Sequence, residues 1–401
     1  MTGVGVVAPN GVGTENYWAA TLAGRTGIAP VTRFDAAYGL HFAGEVSDFD
    51  AASWVPGRLR AQTDRWTHFS FAAADLALRD AQVDLAQVDE YEMSVYSASS
   101  AAGAEFGQIE LTNLWSGSPR DVSAYQSIAW FYAATTGQLS IRHGMRGPCG
   151  VVVSEQAGGI DVMACARRAL GAGTRLALVG GTEAPMSPFG VVCLMAENRM
   201  STITDPRMAF LPFDPEAGGA VPGEGGAFMV VESVESATHR GVHAYATVAG
   251  YAATFDPRPD RDRLPVRSGL RRAIELALED AGCNPHDIDL VFADAAGLPR
   301  LDRLEAEALN QVFGKRAVAV TAPKTMTGRL FAGGAALDVA TAALALRDQV
   351  VPPTVGLRRR SEDYPISLVA EAEHRPLRTV LVLARGHGGF NSALVLSGAH
   401  R

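Results

Sequence analysis

Residues 147–161, GPCGVVVSEQAGGID, join a short apolar run to a turn and the small-residue start of a helix. A side chain presented at such a turn faces the free N–H groups and the positive end of the helix dipole, where developing negative charge is favoured. An acyl-transfer enzyme places its cysteine or serine nucleophile there, because the helix end stabilises a thiolate. The residue at the point of this turn is Gln156. Its amide nitrogen is delocalised into the carbonyl, so Gln156 cannot hold an acyl chain as a thiol would. Two thiols lie nearby. Cys149 precedes the strand that enters the turn and Cys165 falls inside the following helix, so neither is presented, and burial is the expectation for both.

Other reactive side chains are scattered. The four cysteines form no CxxC pair and read as buried thiols rather than as a zinc site or a disulfide framework. His239 and His243 lie in a polar connector and read as a solvated pair, and His387 in ARGHGGF reads as a hydrogen-bonded loop residue. In the run SSAAGAEFGQIEL, Ala104, Gly107 and Leu111 are spaced i, i+3, i+7 and share one face of a predicted helix.

These groups sit on an alternation of β-rich and Ala/Leu-rich segments, the pattern of an α/β protein with a mainly parallel sheet. Strands are expected over residues 3–7, 93–97, 151–153, 176–179 and 227–232, and helices over 123–141, ending at Gly144, and 157–170. A polar joint at 233–241 divides the chain into halves, 1–240 and 241–401. Beyond it the cadence restarts, with strands over 244–249, 290–293 and 317–320, helices over 266–281, 301–312 and 335–346, and a closing pair near 379–383 and 393–396. Two halves of like cadence suggest an internal duplication.

Composition narrows the class. A 401-residue chain that is 47% hydrophobic and 19% charged, with 42 glycines, is globular rather than disordered or fibrous. A net charge of −8 argues against a nucleic-acid binder, which needs a basic face. There is no run of about 18 apolar residues, hence no predicted membrane span. The opening GVGVVAP lacks the marks of a secretory signal, which reads as cytoplasmic.

The elbow at Gln156 resembles that of β-ketoacyl synthases, and its SEQAGG form is similar to the ketosynthase-β subunits, or chain length factors, of bacterial type II aromatic polyketide synthases. TGVGVVAPNGVG, AYQSIAWFYAATTGQLSIRHGMRGP, LVGGTEAP, PFDPEAGGAVPGEGGAFMVVE and GGFNSALVL extend the resemblance over essentially the whole chain. It implies a thiolase-like fold with a duplicated, five-layered αβαβα core. It implies pairing with an active ketosynthase-α subunit as a heterodimer or a higher assembly. The pair would extend a poly-β-ketone from malonyl units on an acyl carrier protein, with no metal or organic cofactor.

Active members use a cysteine and two histidines, the histidines stabilising an enolate oxyanion. This sequence departs at all three. Gln156 replaces the cysteine, DAAGL puts Asp294 at the first histidine, and KTMTGR puts Arg329 at the second. Loss of one oxyanion donor alone typically costs about 10²–10³ in rate, and an ionised Asp294 would repel an enolate. Asp302, Glu305 and Lys324 keep step with the family's structural network. Two readings of Gln156 stay open: a plug whose amide satisfies buried backbone groups, or an amide that polarises a malonyl thioester and assists decarboxylation during priming. Two also stay open for Ala104, Gly107 and Leu111: the wall of a chain-length tunnel at the subunit interface, or small residues that permit close packing.

Overall fold

The computed structural model, described over residues 1–34, 38–256, 269–358 and 362–399, carries the duplication in its hydrogen-bond topology. In one six-stranded sheet Gly3–Ala8, Gly225–Glu232, Leu176–Glu183, Met93–Ala98 and Cys149–Val152 lie side by side, with Gly11–Val12 beyond the first. Their pairings run antiparallel, antiparallel, parallel, parallel. In the other sheet the order Ala246–Phe255, Phe390–Gly398, Thr379–Gly386, Leu290–Phe292, Ala319–Thr321 repeats that series, and Ser367–Leu368 follows.

Side chains alternate along each strand, so each sheet feeds two cores. In Leu176–Glu183, Ala177 and Val179 face the core between the sheets while Leu176 and Leu178 face an outer one. Val380 and Val382 share that inner core, whereas Leu381 and Leu383 face a third. Strands covered on both faces are continuous apolar runs, which is why VLVLA and LALV carry no polar alternation. Two helices fill the inner layer, Gly158–Gly171 from the elbow and Phe331–Asp348. The second is buried from Phe331 to Leu346, so it is rich in Ala and Gly rather than amphipathic.

Outer helices complete five layers. Arg65–Asp80 packs on Gly3–Ala8, and Gly269–Ala281 packs on Ala246–Phe255. Both contacts depend on a missing side chain. A β-carbon on Gly5 would fall 1.9 Å from the Ala73 carbonyl oxygen, and one on Gly250 would fall 2.2 Å from that of Ala277.

Several expectations are corrected. The helix expected over 123–141 is two pieces, Gln126–Ala129 and Ala134–His143, because the Trp130 carbonyl accepts the Gly103 N–H instead of continuing the helix. Its stop is as read, with Gly144 left-handed at φ 65°. The polar joint contains a helix, Val234–Arg240, capped by Ser233 and ended by Gly241. The Phe331–Asp348 helix begins before residue 335; the glycines that hid its start stand where a β-carbon on Gly333 would meet the Gly225 carbonyl oxygen at 2.2 Å. The first residues of the helix expected from Val266 lie outside the described residues. The cysteines are not buried: Cys149 and Cys193 are exposed and the other two half-buried. Cys149 sits on the open edge strand of the first sheet. Among the described residues no helix is long and apolar enough to cross a membrane.

Gly5→Val or Gly250→Val should each destabilise the protein by more than about 2 kcal/mol, since backbone rather than a flexible side chain must move. Thermal unfolding measures this, and an unchanged midpoint would contradict the packing described.

Candidate functional site

The elbow forms because strand Cys149–Val152 turns through Glu155, at φ 51°, into one 3₁₀ turn and the helix Gly158–Gly171. Asp161, one turn into that helix, anchors it. One oxygen accepts the Ser154 hydroxyl at 2.5 Å, and the other accepts Tyr251 OH at 2.9 Å and Ser392 Oγ at 2.5 Å, tying the elbow to the second sheet. The Glu155 carboxylate accepts the His387 N–H at 2.7 Å.

Gln156 is at the point of the turn and is 0% exposed. Its side chain lies against the first turn of the Phe331–Asp348 helix, where a β-carbon on Gly334 would stand 3.3 Å from both amide heteroatoms. Among the described residues neither Oε1 nor Nε2 has a hydrogen-bond partner. The side chain is enclosed, as a plug would be, and among the described residues its amide makes none of the backbone hydrogen bonds that the plug reading expected.

Asp294 follows strand Leu290–Phe292 and is also 0% exposed. Its Oδ1 accepts Arg329 Nη2 at 3.1 Å and the Arg385 backbone N–H at 2.9 Å, and its Oδ2 accepts Arg385 Nε at 3.2 Å. Burial pushes this carboxyl up, but Arg329, Arg385 and Lys324 together outweigh it and hold the group well below the usual carboxylate range. Arg329 Nη1 donates to the Asp294 carbonyl at 2.8 Å. Glu305 accepts the N–H groups of Asp294 and Ala295 at 2.7 and 3.0 Å and Arg385 Nη2 at 3.0 Å. Asp302 accepts those of Phe213 and Gly297 at 2.9 and 3.1 Å, and burial raises its carboxyl to about 7. Lys324 donates to the Ala293 carbonyl and pairs with Asp338 at 2.8 Å. Thus Asp294, Arg329, Asp302, Glu305 and Lys324 converge in one buried network.

Arg385 completes it and was not singled out from the sequence; the only signal was a guanidinium closing the apolar run VLVLA. His387 is exposed, with Nδ1 3.1 Å from Arg199 Nη1, and His239 and His243 are exposed as expected. Beside Glu155 of the elbow, Arg199, Ala296, Arg329 and Phe331 help to line a space of about 10 Å³ that Gln156 does not border.

The predicted helix face is on Ala104–Ser116. Ala104 and Gly107 are half-buried, whereas Leu111 is 45% exposed and lines an open apolar cup of about 470 Å³ with Gln108, Trp115 and Phe189. A β-carbon on Gly107 would have only Gln126 Nε2 at 3.8 Å and Trp130 Cβ at 3.9 Å nearby, which is ordinary contact, so close packing does not require glycine there. Buried carboxylates overlooked in the sequence hold this helix. Asp64 accepts the Phe106 N–H at 2.7 Å and Glu183 accepts those of Ser100 and Ala101. Burial raises Asp64 to about 7 and Glu183 to about 8. Arg33 bridges Glu105 at 2.5 Å to Glu224 at 3.1 Å.

Comparison with known proteins places this arrangement. The family described as β-ketoacyl synthase, N-terminal domain, matches residues 1–237, and its C-terminal domain matches 245–358. The chain belongs to the β-ketoacyl synthase family. It is 56% identical to the tetracenomycin polyketide synthase ketoacyl synthase beta subunit of Streptomyces glaucescens, over 99% of this chain and 97% of that one. It is 52% identical to a Streptomyces coelicolor protein named for actinorhodin polyketide β-ketoacyl synthase 2, over 99% and 97%. A solved structure, the ishigamide ketosynthase/chain length factor, superposes with a TM-score of 0.91 at 27% identity, covering 100% of this chain and 98% of that one. The expected kinship with ketosynthase-β subunits and the thiolase-like fold are borne out.

Asp294→Asn should cost about 3–5 kcal/mol at pH 7, because it leaves buried guanidinium charge unpaired. Asp294 has a depressed folded pKa, so its contribution is full above the ordinary Asp value near ~4 and is lost only as pH falls through the lower folded value. Denaturant unfolding of wild type and variant from pH 7 downward checks this, and a difference that vanished by about pH 5 would contradict the pairing.

Proposed function

We propose that this chain is a non-condensing chain length factor. It pairs with an active ketosynthase subunit in a type II polyketide synthase and helps to set poly-β-ketone length through a tunnel at their interface. The observation that carries this is the elbow itself: strand, strained turn and helix are intact, yet they present a buried carboxamide in place of a nucleophile. The positions matched to the histidines reinforce it, since Asp294 and Arg329 are committed to each other and leave no neutral donor for an enolate.

The two halves, 1–240 and 241–401, form one shared core, and the surface supports a partner. Strand Cys149–Val152 leaves its outer edge unpaired within the described residues, an arrangement that invites another chain. Elsewhere Trp115, Trp130, Phe131, Ile141, Val153 and Phe189 are 46–82% exposed, and Trp115 and Phe189 share one open cup, apolar surface of the kind that marks an interaction site. Ala104 and Gly107 lie on the same helix as Trp115. The complex would work in the cytoplasm on malonyl and polyketide groups carried by an acyl carrier protein, without a metal or organic cofactor.

One observation favours a decarboxylase, namely the Gln156 amide, neither heteroatom of which is hydrogen-bonded among the described residues. Its enclosure counts against that role, since a side chain that is 0% exposed in this fold offers its amide to no thioester from solvent. In the reconstituted synthase Gln156→Ala should therefore leave acetyl-starter formation within about twofold of wild type, measured by product labelling. A loss of about 10²-fold would instead assign the amide a catalytic role.

Gly107→Trp and Ala104→Phe fill the proposed tunnel and should shift the products to shorter chains, read by mass spectrometry. An unaltered product distribution from an intact complex would remove these residues from the tunnel wall.

A further inference from the structure

The helix Ala104–Ser116 is held by polar tethers where helices in proteins are ordinarily held by a packed apolar face. Of its 13 residues only Glu110 is buried, and its N-cap, Gly103, has no side chain to satisfy the first N–H groups. Other elements do this instead. Asp64, 3% exposed, stands between two helix ends. Its Oδ1 accepts the Trp66 N–H at 3.2 Å, capping its own helix Arg65–Asp80, and its Oδ2 accepts the Phe106 N–H at 2.7 Å, 42 residues away along the chain. Glu183, buried at the end of its core strand, accepts the Ser100 and Ala101 N–H groups just before the helix. Arg33 ties Glu105 to the buried Glu224, which also pairs with Arg65 at 2.8 Å. Further along, Gln108 Oε1 accepts the Phe189 N–H at 2.7 Å and Glu110 accepts the Ser123 N–H at 2.6 Å. The tethers concentrate on the first turn, which carries Ala104 and Gly107.

We propose that Asp64 is a positioning residue for chain length. By capping two helices with one carboxylate it fixes where the wall bearing Ala104 and Gly107 stands relative to the core, and hence the room left for the growing chain. Glu183 is the second tether. This rests on the tunnel reading for what the wall encloses, and deepens it: length follows from where the wall is held as well as from the size of its side chains.

Asp64→Ser separates the two caps. A serine still caps its own helix, but its hydroxyl is a bond shorter than the carboxylate and does not reach Phe106. In the full chain assembled with its ketosynthase partner, amide hydrogen exchange over residues 104–110 should be at least about tenfold faster than in wild type, with the Arg65–Asp80 helix protected as before. The share of the main poly-β-ketone length, read by mass spectrometry, should fall at least about twofold as neighbouring lengths rise. A residue that served stability alone would lower the total yield and leave the ratio of lengths as it was. Should Asp64→Ser fail to assemble, Glu183→Gln keeps the shape with one acceptor fewer and should produce the same two changes. Unaltered exchange in an assembled variant overturns the proposal. So does faster exchange with an unaltered length ratio while Gly107→Trp shortens the product, an outcome that leaves the tunnel reading standing. If neither Gly107→Trp nor a faster-exchanging Asp64→Ser moves the ratio, the tunnel reading falls and the length role of Asp64 falls with it.

Discussion

A carboxylate with no solvent exposure must be matched by buried positive charge or give up its own. At Asp294 two guanidinium groups meet it, one from the loop after Ala319–Thr321 and one from strand Thr379–Gly386. The pairing dictates much around it. It fixes the 294–297 loop, where Ala295 and Gly297 both have positive φ. It positions Arg329 at the small space that Glu155 of the elbow also lines, and it makes Glu305 the second carboxylate for Arg385. A histidine at 294 could not hold both guanidinium groups, so the three residues act as one unit.

The elbow shows what survives loss of chemistry. Glu155, Ala295 and Phe331 are non-glycine residues near φ 50°, each costing on the order of 1–3 kcal/mol unless its surroundings over-determine it. They stand at the turn, beside Asp294 and at the start of the central helix, and hydrogen bonds from His387 to Glu155 and from Ala295 to Glu305 hold two of them. Geometry suited to presenting a nucleophile thus persists around a side chain that is not one. The same rigidity suits a scaffold, because a shared tunnel needs walls that hold their shape.

What the sequence revealed depended on how local each cause was. The elbow was legible because the strand, the turn and the start of the helix lie within fifteen residues and Gln156 stands at their junction. Asp302, Glu305 and Lys324 were legible because they keep step with a motif. Arg385 was hidden: it ends an apolar strand, and Asp294 is 91 residues away along the chain. The break at Trp130 is set by an N–H from Gly103, and the start of the Phe331–Asp348 helix by a close approach to Gly225. Cys149, which has no CxxC partner and is not presented at the turn, is expected to be buried, yet it is exposed because its strand is the sheet's last. The hydrogen bonds expected of the Gln156 amide follow from the general rule that buried polar groups are paired, and no partner stands within reach among the described residues.

The central claim is that this polypeptide shapes a cavity without ever bonding to its contents. Intact-protein mass spectrometry of the two-subunit synthase, quenched during chain extension, tests it directly. The account predicts acyl adducts on the partner ketosynthase and on the carrier protein, with this chain remaining at its unmodified mass. An acyl group covalently attached to this chain at any stage of synthesis would contradict it.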